Sequence, residues 1–390
     1  MSRKRVLAIT GIRSEFYISV PILDRLQRDD RFDLSVAVSG AHLSDWHGNT
    51  LADIEAKGYL IADRIDNLLM TDRATQRAKG VGLLTLALSQ TVERLAPDCL
   101  LYVGDREEGI AAALVANYMN ICMAHIAGGD PVWGNADDPI RFAISKLAHV
   151  HFVFSRANAD ILRRLGEDDW RITVAGNPSL DAIAETPAMT RSELAAALDW
   201  DIDRRPFLLL IKHPLSSEVA EAGQQMRATL SAVERFAAEH DVRVVGIRPN
   251  TDPGSLPILQ QIEAFQTSQY LRFYRTLPHP VFVNLARNAL ALVGNSSMGI
   301  LEAPFYRLPV VNVGHRQQGR PDAGNVQFTD YRAEAIAQAL QTACFDATYR
   351  DGLATNTHFY GDGCAADRIV SRLAEIALDS PEWRIKRKLI

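Results

Sequence analysis

The chain has 390 residues, too many for one ordinary hydrophobic core and enough for two domains. Hydrophobic residues make up 47% and charged residues 23%, the balance expected of a globular protein in water. A net charge of −5 gives no general attraction to nucleic acid or to an anionic membrane, so neither is expected as a partner.

Short apolar runs at residues 6–10, 34–38, 99–103, 123–126 and 150–154 alternate with helical patterns at about 20–28, 75–95, 109–118, 139–147 and 158–165. Such alternation predicts parallel sheets with right-handed crossovers. It pauses at Gly176-Asn177-Pro178 and in the polar stretch 199–205, then resumes with runs at 207–211, 242–247, 289–293 and 310–313. The boundary is therefore expected near 178–205, giving domains 1–178 and 179–363. A last helical pattern at about 364–378 lies in a C-terminal segment, 364–390. No internal repeat stands out, and the basic tail Arg384-Ile385-Lys386-Arg387-Lys388 reads as a solvated run.

No apolar run approaches the roughly 18–20 residues that a membrane span needs. The apolar stretch after the basic N-terminus is too short for a signal peptide, so a cytoplasmic location is expected. Cys99, Cys122, Cys344 and Cys364 lack the close spacing of metal ligands.

Chemistry is expected where strands end, because open α/β sheets bind ligands beyond the carboxyl ends of their strands. After the run at 289–293, Gly294-Asn295-Ser296-Ser297-Met298-Gly299 opens a predicted helix carrying Glu302. First-turn N–H groups without intrahelical partners make such a turn an anion site, or simply a capped helix start. The first half has its own glycine turn, Gly11-Ile12-Arg13. Together they suggest two nucleotide-fold halves facing each other across a cleft.

Gly104-Asp105-Arg106 ends another run, and His125-Ile126-Ala127-Gly128-Gly129-Asp130 the next. The later Asp137-Asp138-Pro139-Ile140-Arg141 reads as a helix start, with an ion pair from either aspartate to Arg141 available along the helix face. The functional alternative brings Asp105 and one of this pair together as acid–base groups, since adjacent carboxylates split their pKa values. The second half contributes Lys212-His213-Pro214, Arg248-Pro249-Asn250 and Arg316-Gln317-Gln318-Gly319-Arg320. Glu302 could accept bonds from ribose hydroxyls while the serines hold a diphosphate. Neither GxxxxGKS nor a GxGxxG after the first strand is present, which argues against kinases and dehydrogenases.

With these motifs in this order, the chain resembles the hydrolysing UDP-N-acetylglucosamine 2-epimerases. Carrying the resemblance are Gly11-Ile-Arg13-Ser-Glu15, Ser39-Gly-Ala-His42 with Gly48-Asn-Thr50, Gly104-Asp105-Arg106 and His125-Ile-Ala-Gly-Gly-Asp130. It continues through Asp137-Asp-Pro-Ile-Arg141 with Ser145-Lys-Leu-Ala-His149-Val-His151, Gly176-Asn-Pro, His213-Pro, Pro249-Asn250, Gly294-Asn-Ser-Ser, Arg316-Gln-Gln-Gly-Arg320 and Tyr360-Gly-Asp-Gly.

The resemblance implies two Rossmann-like domains in the glycosyltransferase-B architecture, with a C-terminal helix returning to the first. It implies a UDP-sugar substrate, a homodimer or homotetramer, and no metal or nicotinamide cofactor. UDP leaves C1 as the C2 proton is removed, giving a 2-acetamidoglucal. Water then adds, with a proton returned to the opposite face of C2. The product would be N-acetylmannosamine, as in sialic acid synthesis, or the matching epimer of another sugar. Matching positions assign acid–base work to Asp105 and Asp137. They assign UDP or sugar contact to Arg13, Arg106, His213, Asn250, Ser296, Ser297, Glu302 and Arg316.

Two departures stand out. Many relatives carry Glu, and others His, at the position of Ala127, and many carry His where this chain has Phe142. Asp130, in the same glycine-rich loop, is the candidate to replace the missing group. UDP-2,4-diacetamido-2,4,6-trideoxyglucose, the precursor of legionaminic-type sugars, is the alternative substrate. A glycosyltransferase and a nucleotide-sugar-binding protein are the alternatives in kind.

Overall fold

Apolar runs without polar alternation belong in strands covered on both faces, and the chain places them there. The structure, a computed structural model, describes residues 3–45, 49–69, 75–132, 137–249 and 252–386. It divides into two compact units. Unit 1 comprises Met1–Asp130, Asp137–Ala184 and Gly361–Ile390, and unit 2 comprises Pro131–Ala136 and Glu185–Tyr360.

Unit 1 holds strands β1 (Lys4–Thr10), β2 (Phe32–Ser39), β3 (Ile61–Ile65), β4 (Cys99–Val103), β5 (Cys122–Ile126), β6 (Val150–Val153) and β7 (Ile172–Val174). They form one parallel sheet in the order β3-β2-β1-β4-β5-β6-β7. Every residue of β4, β5 and β6 is buried. The chain runs outward from β1 to β3, then returns to β4 beside β1. The switch point therefore lies between β1 and β4, where an open sheet leaves a crevice at its carboxyl edge. The helices α1 (Arg13–Arg28), α2 (Leu51–Glu55), α3 (Thr75–Leu95), α4 (Glu107–Tyr118), α5 (Asp137–Leu147) and α6 (Arg156–Arg164) link these strands.

Unit 2 holds β8 (Phe207–Ile211), β9 (Arg243–Ile247), β10 (Leu271–Tyr274), β11 (Ala291–Gly294), β12 (Val310–Val313) and β13 (Val326–Thr329). Its parallel sheet has the order β10-β9-β8-β11-β12-β13, with the switch between β8 and β11.

Several expectations need correction. Four strands had no expected counterpart: β3, β7, β10 and β13. Helix α1 begins at Arg13, seven residues before the expected pattern at 20, because its first turns bury Glu15 and Phe16 rather than a periodic apolar face. The helix expected to carry Glu302 is two single turns, Met298–Leu301 and Ala303–Tyr306, with Glu302 at the break (φ −123°, ψ −38°). Pro304 explains the break, since its ring has no N–H to donate to Ile300 and clashes with that carbonyl.

The basic tail is not simply solvated. Lys386 Nζ lies 2.5 Å from Glu167 and donates to the Lys146 carbonyl at 2.7 Å, near the C-terminal end of α5. Arg171 donates to the carbonyls of Glu382, Trp383 and Ile385. Arg387 and Lys388 lie outside the described residues. Upstream in the same unit, the helix Ala365–Glu375 starts on Asp181, whose carboxylate accepts the Ala365 and Ala366 N–H groups at 3.0 and 2.8 Å. Among the described residues no helix is long and apolar enough to cross a membrane.

Candidate active site

In unit 1 the polar residues gather where β4 and β5 end. Asp105 lies two residues past the end of β4, and its carboxylate is hydrogen-bonded by Arg141 from α5. Arg141 is buried, donates to the Ala127 carbonyl at 2.7 Å, and lies 3.8 Å from Asp130. Its closest carboxylate partners are thus Asp105 and Asp130, with the charge of Asp138 on its own helix adding to theirs. Asp130 is 1% exposed, so the candidate replacement for the group missing at Ala127 faces an arginine in the protein interior.

Asp137 opens α5 and accepts from Arg77 of α3 at 2.6 Å. Burial, and then the charge of Asp105, raise its carboxyl above the ordinary range. The Asp105 charge is therefore near enough to oppose ionisation of Asp137. His125 links the elements that carry them. Its Nε2 donates to the Gly104 carbonyl at 2.8 Å, so Nδ1 is the acceptor for the Ser145 hydroxyl at 3.0 Å. Burial pushes His125 down to about 3, keeping the ring in this neutral form.

The switch-point crevice itself is filled. A side chain on Gly11, after β1, would start 2.0 Å from Glu108 Oε1, and one on Gly104, after β4, would start 2.1 Å from Glu15 Oε1. Each glycine leaves room for a carboxylate borne by the helix that follows the other strand. Arg13 comes from the same turn as Gly11, lies 3.8 Å from Asp53 and packs over the Tyr17 ring. Arg106 lies beside Glu107 at 3.7 Å. Arg77 and Glu108 were not singled out from sequence, Glu15 was read only as part of a motif, and the pairing of Arg141 with Asp105 and Asp130 was not expected.

In unit 2 the strand ends at the switch are tied together by Asn295. Its side chain accepts from the His213 N–H at 2.7 Å and donates to the His213 carbonyl at 2.9 Å. Its own carbonyl accepts from Arg316 at 3.0 Å and from Gln317 at 2.9 Å. His213, Ser296, Ser297 and Arg316 are thereby brought to one edge of the sheet. Burial first, and then the charges of Arg316 and Lys212, bring His213 down to about 3. The imidazole is therefore a neutral hydrogen-bonding group. Ser296 Oγ accepts weakly from the Met298 N–H at 3.4 Å. The helix after it is a single turn, so any anion there meets a few N–H groups rather than a long macrodipole. Asn250 lies outside the described residues. Asn295 and Gln317 carry the geometry and were read from sequence only as parts of motifs.

The family model for UDP-N-acetylglucosamine 2-epimerase matches residues 24–374. The chain belongs to that family. It is 33% identical to a Legionella pneumophila protein named UDP-N,N'-diacetylbacillosamine 2-epimerase (hydrolyzing), over 97% of each chain. It is 30% identical to a Campylobacter jejuni GDP/UDP-N,N'-diacetylbacillosamine 2-epimerase (hydrolyzing), over 84% of each. Among solved structures, the Neisseria meningitidis UDP-GlcNAc 2-epimerase bound to UDP-GlcNAc aligns with a TM-score of 0.81 at 19% identity, over 95% of this chain and 100% of that one. That likeness concerns the fold: two parallel-sheet α/β units of the glycosyltransferase-B type.

Proposed function

We propose that the chain is a hydrolysing 2-epimerase that converts a UDP-2-acetamido sugar and water into UDP and the free 2-epimer. The observation that carries this reading is the pair Asp105 and Asp137. One carboxylate is matched to the buried Arg141, and the other is held toward its protonated form by burial and by its neighbour. Two neighbouring carboxyl groups in different surroundings, one on an arginine and one raised by burial, suit removal of a proton from one face of C2 and delivery to the other.

In this scheme Asp105 takes the C2 proton while the C1–O bond breaks and its electron pair leaves with UDP. Water then adds its oxygen to C1 of the resulting 2-acetamidoglucal as Asp137 returns a proton to the opposite face of C2. Of the proton that water loses and the one Asp105 holds, one restores Asp137 and the other leaves with UDP or to solvent. Asp130 serves these transfers through Arg141. Arg13 and Arg106 meet the negative charge of the substrate. Ser296, Ser297 and Arg316 hold the diphosphate, His213 donates or accepts a hydrogen bond, and Glu302 takes the ribose hydroxyls. Asn250 joins them on the strength of the resemblance.

For the sugar, the names of the Legionella and Campylobacter relatives favour UDP-2,4-diacetamido-2,4,6-trideoxyglucose over UDP-N-acetylglucosamine. The test is incubation with each UDP-sugar in heavy water, without an acceptor. Release of UDP with deuterium at C2 of the freed sugar is expected. Transfer to an acceptor with C2 unlabelled would make the protein a transferase, and binding without UDP release would make it a binding protein.

A further inference from the structure

The two carboxylates that fill the unit 1 crevice belong to one repeated pattern. Gly11-Ile12-Arg13-Ser14-Glu15 follows β1, and Gly104-Asp105-Arg106-Glu107-Glu108 follows β4, so both turns read Gly-x-Arg-x-Glu. The strands are neighbours at the switch point, and each turn's glutamate occupies the space left by the other turn's glycine. The turns are interlocked.

Glu15 also reaches the backbone that carries Asp105. Its Oε1 accepts from the Asp105 N–H at 3.4 Å, and its Oε2 accepts from the Tyr102 hydroxyl at 3.0 Å. The Tyr102 oxygen in turn accepts from the Arg106 N–H at 3.1 Å. One buried side chain therefore holds two consecutive amides of the turn after β4, directly and through a tyrosine. Among the described residues Glu108 Oε2 is buried with no hydrogen-bond partner, a costly arrangement for an ionised oxygen.

We propose that Glu15 is a positioning residue: through the Asp105 amide and Tyr102 it fixes the Gly104–Arg106 turn, and so aims the Asp105 carboxylate and the Arg106 guanidinium. The inference rests on the reading of Asp105 as an acid–base group. Burial, followed by the charges of Glu108 and Asp105, holds the Glu15 carboxyl well above its ordinary range, with Arg106 and the Tyr102 hydroxyl acting against them. A neutral carboxyl can be mimicked by an amide. That separates aiming from proton transfer.

The experiment compares Glu15→Gln, Glu15→Ala and Tyr102→Phe with the parent. UDP release, UDP affinity, melting temperature and amide hydrogen exchange at 104–106 are all measured. Glu15→Gln is expected within about fivefold of the parent. Glu15→Ala is expected to lose about 10²-fold in kcat with only a several-fold loss of UDP affinity through Arg106, and with faster exchange at the Asp105 and Arg106 amides. Tyr102→Phe removes only a hydroxyl, so it answers the question even if Glu15→Ala does not fold. Its kcat should fall about tenfold with faster exchange at Arg106 alone. Loss of activity in Glu15→Gln as severe as in Asp105→Asn would make Glu15 a proton carrier and overturn the proposal. Parent-like kcat and exchange in Tyr102→Phe would overturn it as well. If the parent frees no UDP from any UDP-sugar, the assigned reaction fails, and the exchange data still report whether the turn is held.

Discussion

Asn295 and His213 exchange two hydrogen bonds, side chain to backbone, across the ends of β11 and β8. The Asn295 carbonyl holds Arg316 and Gln317 at the same time. Replacing Asn295 by Ala should therefore disturb His213 and Arg316 together. UDP affinity should fall about as far as in Arg316→Ala, by roughly 10- to 100-fold, since a charge-assisted bond is worth roughly 1.5–3 kcal/mol. Ser296→Ala and Glu302→Ala should each weaken UDP by a smaller factor. Titration calorimetry with UDP decides the matter, and unchanged affinity in all four variants would move the nucleotide elsewhere.

Asp105→Asn and Asp137→Asn should each lower turnover by about 10²- to 10⁴-fold, the usual contribution of a general acid or base. Both variants should fold and bind UDP as the parent does, because neither carboxylate is assigned a contact with UDP. Single-turnover release of UDP from the sugar nucleotide is the measurement. Near-parent turnover in either variant removes that residue from proton transfer.

Ala127 has φ +70°, a left-handed backbone conformation that costs about 1 kcal/mol or more for most residues. Glutamate at that position would carry the same strain beside a loop already organised around Arg141. Ala127→Glu is thus expected to bring no gain in turnover on the native substrate. Asp130→Asn should lower kcat by weakening the hold on Arg141, with UDP affinity unchanged. A large gain in the first variant, or full activity in the second, contradicts this account of the loop.

Glu167 gives a pH dependence with a definite sign. Burial alone would raise its carboxyl. The hydrogen bond from His151 and the charges of His151 and Lys386 outweigh burial and hold it at about 2, against an ordinary 4.5. A folded-state value below the unfolded one adds stability above about pH 4.5, and this is lost as pH falls toward 2. In Glu167→Gln the stability lost between pH 5 and pH 2 should shrink by roughly 2–3 kcal/mol, read from urea midpoints across that range. An unchanged acid limb would mean that this cluster does not couple to folding.

The inner strands of both sheets were legible as apolar runs, and the four that escaped notice share one property. β3, β7, β10 and β13 are the edge strands of the two sheets. Their sequences, IADRI, ITV, LRFY and VQFT, are short, and most of their residues are partly open to solvent. An edge strand is covered less and tolerates charge, so the continuous apolar signal that marks a central parallel strand is missing. In the site, Asp105 and Asp137 stood out because they flank strand ends and helix starts. Arg77 did not, since nothing local ties residue 77 to residue 137. The link exists only once α3 and α5 are placed. Glu15 and Glu108 could have been found by aligning the two Gly-x-Arg-x-Glu turns with each other, a five-residue echo too brief for a search for long repeats.

Unit 1 combines residues from before unit 2 with Gly361–Ile390 from after it, while unit 2, apart from 131–136, comes from the continuous stretch Glu185–Tyr360. During synthesis the second unit can therefore emerge nearly whole while the first still waits for the helix that Asp181 anchors. The unit whose strands are made first is therefore completed second, by residues that follow the other unit in the chain.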